Sequence, residues 1–446
     1  MQNPGSKQVS TASAFLQSAG AKLLIIGLNA ATGILTARAL APAGRGELSA
    51  MILWYIILAS VFSFGLPSAL TYCLRRYPQQ LSELSGAALI LSLLVSALAV
   101  TVGFFGLPHW IPQYSPEVLF FSRLFLLNTP VAVLVATGRA ALESQGRFTA
   151  SNVSLVGAPL LTLAGLVPLA LLHSLTPVHA AWCYVVSGFP PLVWMAVSLH
   201  RTVHPQFRHF VHSAHLLLSY GIRSYGIDLC GTLSLYVDQA LVIRILEPSL
   251  MGTYVVALSL SRMLNAFHTA VVMVLFPRAV SRPPGEVIEM TGRAVRMTTL
   301  LTTISGVGIM IAGPHLLALL YGSEYRGAAA ILRILVVEVI LAGATQVLSQ
   351  AFMALSRPGV VTALQTIGLL LTVPLMLVLV PRFGIAGAAL SLLLSTCMRF
   401  AFVLGSFSRF LDLPRPGLLP RRADVSFMWA TVFRRLRALQ PAGVGV

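Results

Sequence analysis

Hydrophobic residues in this chain form long unbroken runs separated by short polar stretches. Twelve runs are long enough to cross a bilayer as an α-helix, which takes about 20 apolar residues. Membrane β-strands are about 10 residues long and alternate apolar with polar positions, so a β-barrel is excluded. The pattern predicts an all-α polytopic membrane protein with about 12 transmembrane helices. The segments, with boundaries good to a few residues, are 14–37, 48–72, 86–107, 118–138, 152–172, 179–199, 216–243, 250–277, 295–320, 328–352, 360–380 and 384–407.

The composition agrees with this pattern and restricts the class of protein. Of the 446 residues, 57% are hydrophobic and 10% are charged, whereas about a quarter are charged in an ordinary globular domain. Lys and Arg number 30 against 13 Asp and Glu, a net charge of +17. A nucleic-acid-binding protein would carry that charge on a soluble body, so we expect no nucleic-acid partner. The four cysteines contain no CxxC pair, and we expect no cofactor.

Most of the positive charge lies on one side of the predicted membrane. With the N-terminus inside, the cytoplasmic stretches hold 19 Lys and Arg residues and the opposite side holds 5, which satisfies the positive-inside rule. An even number of segments then places both termini in the cytoplasm. The first apolar run is too long for the core of a signal peptide and predicts an uncleaved helix. The outer loops are too short for a catalytic domain, so we expect no enzyme.

Two stretches of the chain are repeated. The motif R-x-L-x-P-x-x-x-G occupies residues 38–46 and recurs 206 positions later at 244–252. A second match, with an offset of 213, pairs residues 141–168 with 354–381. Both matches relate one segment to the segment six places later, which predicts two six-helix pseudo-symmetric bundles around a central cavity. Transporters commonly bind their substrate between such halves.

This repeat predicts a division of the chain into four parts. An N-terminal bundle (1–200) is joined by a cytoplasmic linker (201–215) to a C-terminal bundle (216–407), and a basic cytoplasmic tail (408–446) follows. The tail has one apolar face among several arginines, which predicts an amphipathic helix on the inner leaflet. His200, just before the linker, and His204, within it, have a spacing that suits a metal on a helix. The following proline and the absence of other ligands favour no metal.

The predicted helices contain six cations and three acids, a net charge of +3. A charge near the middle of a membrane costs at least ~2.5 kcal/mol, so it normally faces a polar cavity or a partner. The candidates for substrate binding in a cavity are Lys22, Asn29, Arg223, Arg262 and Arg123. The candidates for coupling or charge balance are Asp228, Asp238, Glu338 and Arg333.

Several of these residues have a second interpretation. Arg123 lies near the start of its segment, where it could extend to the interface instead. Arg333 and Glu338 are five residues apart, a poor spacing for a pair on one helix, so each is expected to have a partner elsewhere. Asp238 could bind a coupling cation or proton, or it could neutralise an arginine. Arg399 could anchor the end of the last helix.

Five stretches resemble, in order and spacing, the bacterial polysaccharide flippases of the multidrug/oligosaccharidyl-lipid/polysaccharide exporter superfamily. The resemblance covers about residues 12–407, and it departs from the family pattern at Ala41, where the family usually has glycine in this loop. The matching stretches are 37–46 (A-R-x-L-x-P-x-x-x-G), 64–67 (F-G-L-P), 238–254 (Asp, then R-x-L-x-P and G-x-Y), 321–325 (Y-G-x-x-Y) and 381–389 (P-R-F-G-I-A-G-A-A).

The resemblance implies a transporter that flips an undecaprenyl-diphosphate-linked oligosaccharide from the cytoplasmic to the outer leaflet of the bacterial inner membrane. Its product would enter a surface polysaccharide such as lipopolysaccharide or exopolysaccharide. The implied partners are the lipid bilayer, the lipid-linked oligosaccharide, a polysaccharide polymerase and glycosyltransferases. The excess of cations inside the membrane suits an anionic diphosphate.

Three other functions remain as alternatives. A cation-coupled drug exporter of the same superfamily would favour a smaller cavity lined by acids. A membrane glycosyltransferase or polymerase would need an acidic or histidine cluster in a sizeable loop. A non-transporting scaffold would not need cations inside the bilayer.

Overall fold

The computed structural model describes residues 11–280, 282–411 and 416–418 of the chain. Within these ranges the regular secondary structure consists of α-helices with three short 3₁₀ turns, and the amphipathic helix predicted for the tail lies outside them. The α-helices in chain order are α1 (Thr11–Val61), α2 (Leu66–Arg76), α3 (Leu81–Trp110), α4 (Pro116–Phe125), α5 (Thr129–Ser144), α6 (Phe148–Leu171), α7 (Pro177–Val186), α8 (Phe189–His200), α9 (Phe210–Ile245), α10 (Pro248–Arg262), α11 (Asn265–Ala279), α12 (Pro284–Leu320), α13 (Ala329–Ala354) and α14 (Pro358–Phe410).

Many of these helices have the length and apolarity of membrane spans. Eight helical stretches of the described residues qualify, or up to ten if each of two bent pairs counts as one span. The two longest, Gly20–Arg76 and Pro358–Phe410, each contain two of the predicted segments. Large hydrophobic side chains such as Phe105 and Ile311 remain 69% and 74% exposed, as expected for surfaces that face lipid. The predicted all-helical membrane fold is confirmed.

Two helices are broken at single residues with left-handed backbone. In α1 the break is at Ala41 (φ 56°, ψ 177°), directly before Pro42, whose ring disfavours helical backbone in the preceding residue. In α14 the break is at Gly384 (φ 57°, ψ −137°), where the absence of a Cβ makes this backbone accessible. Each break separates two of the predicted segments, which explains why one continuous helical stretch contains two.

The contacts between helices divide the chain into two compact units. The first contains the described residues up to Ser259 together with Leu317–Ala328 and Met376–Ala388. The second contains Leu260–Leu316, Ala329–Leu375 and the described residues from Ala389 onward. The first unit extends beyond residue 200 because α9 packs against α1, α2 and α3. The division into two six-helix bundles stays a prediction.

Each unit has its own hydrophobic core. In the first, Leu70, Leu84 and Leu217 bring α2, α3 and α9 together. In the second, Phe352 of α13 and Phe407 of α14 are fully buried, with ring centroids 4.7 Å apart. The core of the first unit holds α2 beside α9, where the polar cavities lie.

Candidate functional site

The helices α1 and α9 carry four of the predicted site residues on exposed positions. Lys22 and Asn29 lie on α1, and Arg223 and Asp228 lie on α9. The two helices pack against each other in the first unit. Since a charged side chain in contact with lipid is costly, their exposure favours a water-filled space. Arg262 lies half-buried in the last turn of α10, and a cavity shared by all five stays a prediction.

A polar cavity of about 410 Å³ is built around Asp228. The Ser68 hydroxyl of α2 donates a hydrogen bond of 2.8 Å to Oδ2 of Asp228. Among the described residues that line the cavity, Asp228 is the one that the sequence had singled out. The others are Ile56, Ala59, Ser60, Ser63, Pro67, Ser68, Ala132, Val133, Ala136 and Thr232. Three serines, a threonine and a carboxylate therefore provide hydrogen-bonding groups beside spans that are otherwise apolar.

A second cavity, of about 550 Å³, shares Ser68 with the first. It also contains two tyrosines, Tyr72 and Tyr220, whose rings are stacked with their centroids 4.0 Å apart. Its lining is Ser68, Thr71, Tyr72, Arg75, Arg76 and Tyr220. Arg75 and Arg76 belong to the 19 cations that the sequence places in the cytoplasm. The two tyrosines are site residues that the sequence alone does not predict. A signal was available, because one face of α2 carries serine, threonine, tyrosine and arginine while its other face is apolar.

Asp238 is fully buried in the first unit. Its carboxylate oxygen Oδ2 accepts a hydrogen bond of 2.8 Å from the phenol of Tyr254 on α10, which is also fully buried. This contact fastens α9 to α10 across the repeated motif at 244–252, since Asp238 precedes the motif and Tyr254 follows it. The roles predicted for Asp238 in coupling or in neutralising an arginine stay predictions.

Arg123 of α4 is held by the neighbouring helix α3. Its Nε donates to the carbonyl oxygen of Phe104 at 3.2 Å, and its guanidinium carbon lies 4.5 Å from the centre of the Phe104 ring. A cation over an aromatic face is attracted by the ring quadrupole. This geometry gives Arg123 a structural role between two helices, and its assignment to a substrate cavity stays a prediction.

Glu338 belongs to a buried polar network in the second unit. Thr396 Oγ1 donates to Glu338 Oε1 at 2.7 Å, and Arg399 Nη2 donates to Thr396 Oγ1 at 2.7 Å. The guanidinium also lies 4.0 Å from the carboxylate. Arg333 is exposed, and its Nε approaches the carbonyl oxygen of Met310 at 3.5 Å. Glu338 and Arg333 thus contact different elements, since Glu338 contacts α14 and Arg333 contacts α12. Their predicted roles in coupling or charge balance stay predictions.

His200 and His204 do not lie on one helix. The helix α8 ends at His200, and the two ring centroids are 5.6 Å apart. In the described part of the chain, no group of three His, Cys, Asp or Glu residues is placed to hold a metal ion.

Comparisons with known proteins give the family and the fold. A family model described as "Polysaccharide biosynthesis protein" matches residues 15–281, more than half of the chain. A curated relative, named "Probable low-salt glycan biosynthesis flippase", from Haloferax volcanii, is 26% identical over 264 residues. The match covers 58% of this chain and 53% of the relative, so the chain spans about half the length of that protein.

Three solved structures have a similar fold. The lipid II flippase MurJ, in an inward closed conformation, has a TM-score of 0.76 at 14% identity and is covered to 94%, with 97% of this chain covered. An inward-facing multidrug resistance transporter of the MATE family, in the MOP superfamily, has a TM-score of 0.68 at 14% identity, with 96% of this chain and all of that chain covered. A MOP superfamily transporter from Pyrococcus furiosus has a TM-score of 0.62 at 16% identity, with 89% of this chain and 95% of that one covered.

At 14–16% identity these structures establish the fold of the chain. The family model establishes to which protein family the chain belongs. The family model therefore confirms the predicted relationship to polysaccharide biosynthesis proteins, and the solved structures confirm the predicted fold. The chain is a multi-pass helical membrane protein that belongs to the polysaccharide biosynthesis protein family.

Proposed function

We propose that this protein flips an undecaprenyl-diphosphate-linked oligosaccharide from the cytoplasmic to the outer leaflet of the bacterial inner membrane, by alternating access, for surface polysaccharide synthesis. Its family, the name of the Haloferax volcanii relative and the shared fold with MurJ all support this proposal. Both termini would lie in the cytoplasm. Glycosyltransferases that make the substrate and a polymerase that uses the product would be its partners.

One observation carries the proposal. Lys22 of α1 and Asp228 of α9 are 206 residues apart, the offset of the repeated motif, and both are exposed on helices that pack together. Arg223 lies one and a half turns before Asp228 on the same helix. Charged groups at equivalent positions of two membrane helices are costly unless they face water or an ionic ligand. A substrate with a charged headgroup and an apolar tail would supply the ionic ligand that these charged side chains need.

The transport needs no bond to be formed or broken. The diphosphate loses its hydration when it leaves the aqueous surface, and Lys22 and Arg223 can replace part of that hydration with charge-assisted hydrogen bonds. The hydroxyls around Asp228 can bind sugar hydroxyls, which both donate and accept. The prenyl tail can stay in lipid, because only the headgroup requires a polar path. Exposure of the cavity first to one leaflet and then to the other completes the transfer.

The proposal is tested with the native substrate. A strain that lacks the gene should accumulate the lipid-linked oligosaccharide, which can be extracted and reconstituted with the purified protein in liposomes. Flipping is measured as the fraction of sugar that becomes accessible to a membrane-impermeant oxidant. We expect wild-type protein to flip the lipid, and the combined variant Lys22→Ala/Arg223→Ala/Arg262→Ala to flip it at least ten times more slowly.

Arg293→Ala is the matched control. Arg293 is exposed and forms an i,i+4 ion pair with Glu289, so its loss should leave the flipping rate unchanged. The proposal is wrong if wild-type protein leaves the sugar inaccessible, or if the triple variant flips at the wild-type rate. Export of a cationic dye driven by a proton or sodium gradient, without lipid flipping, would instead establish a drug exporter.

A further inference from the structure

The cavity that contains Arg75 and Arg76 has a composition that none of the predicted sites explains. It lies between α2 and α9, at the end of α2 that the charge distribution places in the cytoplasm. Its volume of about 550 Å³ is bounded by two arginines, two stacked tyrosines and two hydroxyl side chains. A surface that only contacts lipid would need neither the two arginines nor the hydroxyl groups.

The shape of the cavity follows from close packing between α2 and α9. Gly65 precedes α2 with left-handed backbone (φ 69°), and a Cβ on it would lie only 2.6 Å from the carbonyl oxygen of Gly221. In return, a Cβ on Gly221 would lie 2.7 Å from the carbonyl oxygen of Phe64. The two backbones therefore approach as closely as glycines permit. Less than three turns further along α2, this approach sets the Tyr72 ring parallel to the Tyr220 ring, with 7° between their planes.

Arg75 and Arg76 are exposed and available for a ligand. In the described residues, neither guanidinium forms an ion pair or a hydrogen bond, whereas Arg139 and Arg282 each pair with a glutamate four residues away. Two adjacent guanidinium groups carry a charge of +2, which matches the charge of about −2 on a diphosphate diester. The planar fork of arginine also binds two phosphate oxygens at once.

The stacked tyrosines provide the flat surface that a sugar ring prefers. Tyr72 is 45% exposed, so its ring retains a face for a ligand beyond its contact with Tyr220. Aromatic rings combine a large apolar face with a polar hydroxyl, and both kinds of contact exist on a sugar, in its C–H groups and its hydroxyls. The arrangement therefore suits a phosphorylated sugar better than a free anion.

One residue links this cavity to the cavity at Asp228. Ser68 belongs to both cavities and donates to Asp228. Ser68 precedes Arg75 by seven residues, which is about 10 Å along a helix at 1.5 Å per residue. A headgroup held at the arginines therefore needs to move by about two helical turns to reach the carboxylate-lined cavity.

We propose that Arg75, Arg76, Tyr72 and Tyr220 form the first binding site of the lipid-linked substrate, where the diphosphate contacts the arginines and the first sugar lies against Tyr72. This inference rests on the proposed flippase function. The headgroup then moves past Ser68 to the cavity at Asp228.

The test separates phosphate recognition from a mere requirement for positive charge. The full-length protein is placed in lipid nanodiscs, and its affinity is measured for farnesyl diphosphate with and without one N-acetylglucosamine. The double variant Arg75→Lys/Arg76→Lys keeps the charge, and with it the topology, but loses the forked donors. We expect it to bind both probes at least ten times more weakly than wild type. Arg201→Lys, an exposed arginine on the same predicted side that lines neither cavity, should bind both probes like wild type.

The tyrosine part of the proposal has its own readout. Tyr72→Leu should weaken binding of the sugar-bearing probe severalfold and leave binding of plain farnesyl diphosphate unchanged. The inference alone is overturned if the wild type flips its native lipid while the double lysine variant binds both probes with wild-type affinity. If the wild type neither flips the native lipid nor binds either probe, the proposed function fails together with the inference.

Discussion

Gly46 of α1 and Gly252 of α10 each pack against the backbone of the repeated motif that contains the other. A Cβ on Gly46 would collide with the carbonyl oxygen of Pro248, and a Cβ on Gly252 would collide with the carbonyl oxygen of Pro42. The two glycines and the two prolines are each 206 residues apart in the chain. The repeated motifs therefore meet in a contact that has the form of a local two-fold axis, and glycine is required on both sides because backbone lies where a side chain would begin.

Replacement of either glycine by alanine should destabilise the protein. We expect Gly46→Ala and Gly252→Ala each to lower the free energy of unfolding by about 1–3 kcal/mol, the usual cost of overpacking. Thermal unfolding of the protein in detergent measures the effect. Gly33→Ala is the control, since a Cβ there has no neighbour within 4 Å. An unchanged melting temperature for both variants would show that the two motifs separate easily.

Ala41 adopts a backbone conformation that suits glycine. Its φ of 56° and ψ of 177° are rare for a residue with a side chain and cost about 1–3 kcal/mol. The family usually has glycine at this position, and the geometry supplies the reason. We expect Ala41→Gly to raise the free energy of unfolding by about 1 kcal/mol, after the greater entropy of unfolded glycine is subtracted. In contrast, Ala31→Gly, within the regular part of α1, should lower it. A fall in stability for Ala41→Gly would refute the strain.

The predictable part of the fold is the part that hydrophobicity determines. Each of the twelve apolar runs is mostly helical, because a chain in lipid must satisfy its backbone within the segment. Short turns at 62–65, 187–188 and 263–264 interrupt three of the runs. The second repeat match was less exact. It aligned Gly146 with Gly359, but the left-handed residue that follows α13 is Ser356, 210 residues after Gly146. The alignment of the two halves depends on where each helix ends, and similar composition alone does not determine those ends.

The candidate site was predictable only in so far as polar residues stand out from an apolar run. Lys22 and Asp228 are predicted in this way, and Asp228 lines one of the two cavities. The network around Glu338 is not predicted in this way, since its partner Arg399 is 61 residues away in the chain and only packing brings α13 and α14 together. In the sequence, Arg75 and Arg76 indicate only which side of the membrane the loop lies on. A sequence shows that a charge lies near the membrane surface, but it does not show the cavity beside that charge.

The pair formed by Glu338 and Arg399 should be strongly coupled. Their side chains are only 11% and 23% exposed, so removal of one leaves the other poorly solvated. We expect Glu338→Ala to cost about 3–5 kcal/mol, and the double variant with Arg399→Ala to cost at least 1 kcal/mol less than the sum of the single variants. Thermal unfolding of all four proteins measures this coupling. The exposed pair of Arg293 and Glu289 is the control, with an expected coupling of about 0.3–0.5 kcal/mol. Additive effects at Glu338 and Arg399 would contradict the network.

Among the described residues of the second unit, His268 of α11 and Gly343 of α13 form the tightest contact between a side chain and a glycine. His268 is fully buried, and a Cβ on Gly343 would collide with its imidazole ring. We therefore expect Gly343→Ala to lower the free energy of unfolding by about 1–3 kcal/mol through overpacking. The double variant Gly343→Ala/His268→Ala should lose less than the two single variants together, because the new methyl group occupies space that the imidazole vacates. Gly308→Ala, whose Cβ has no neighbour within 4 Å, should have little effect. If instead the double variant is as unstable as the sum of the single variants, the imidazole does not determine the need for glycine at position 343.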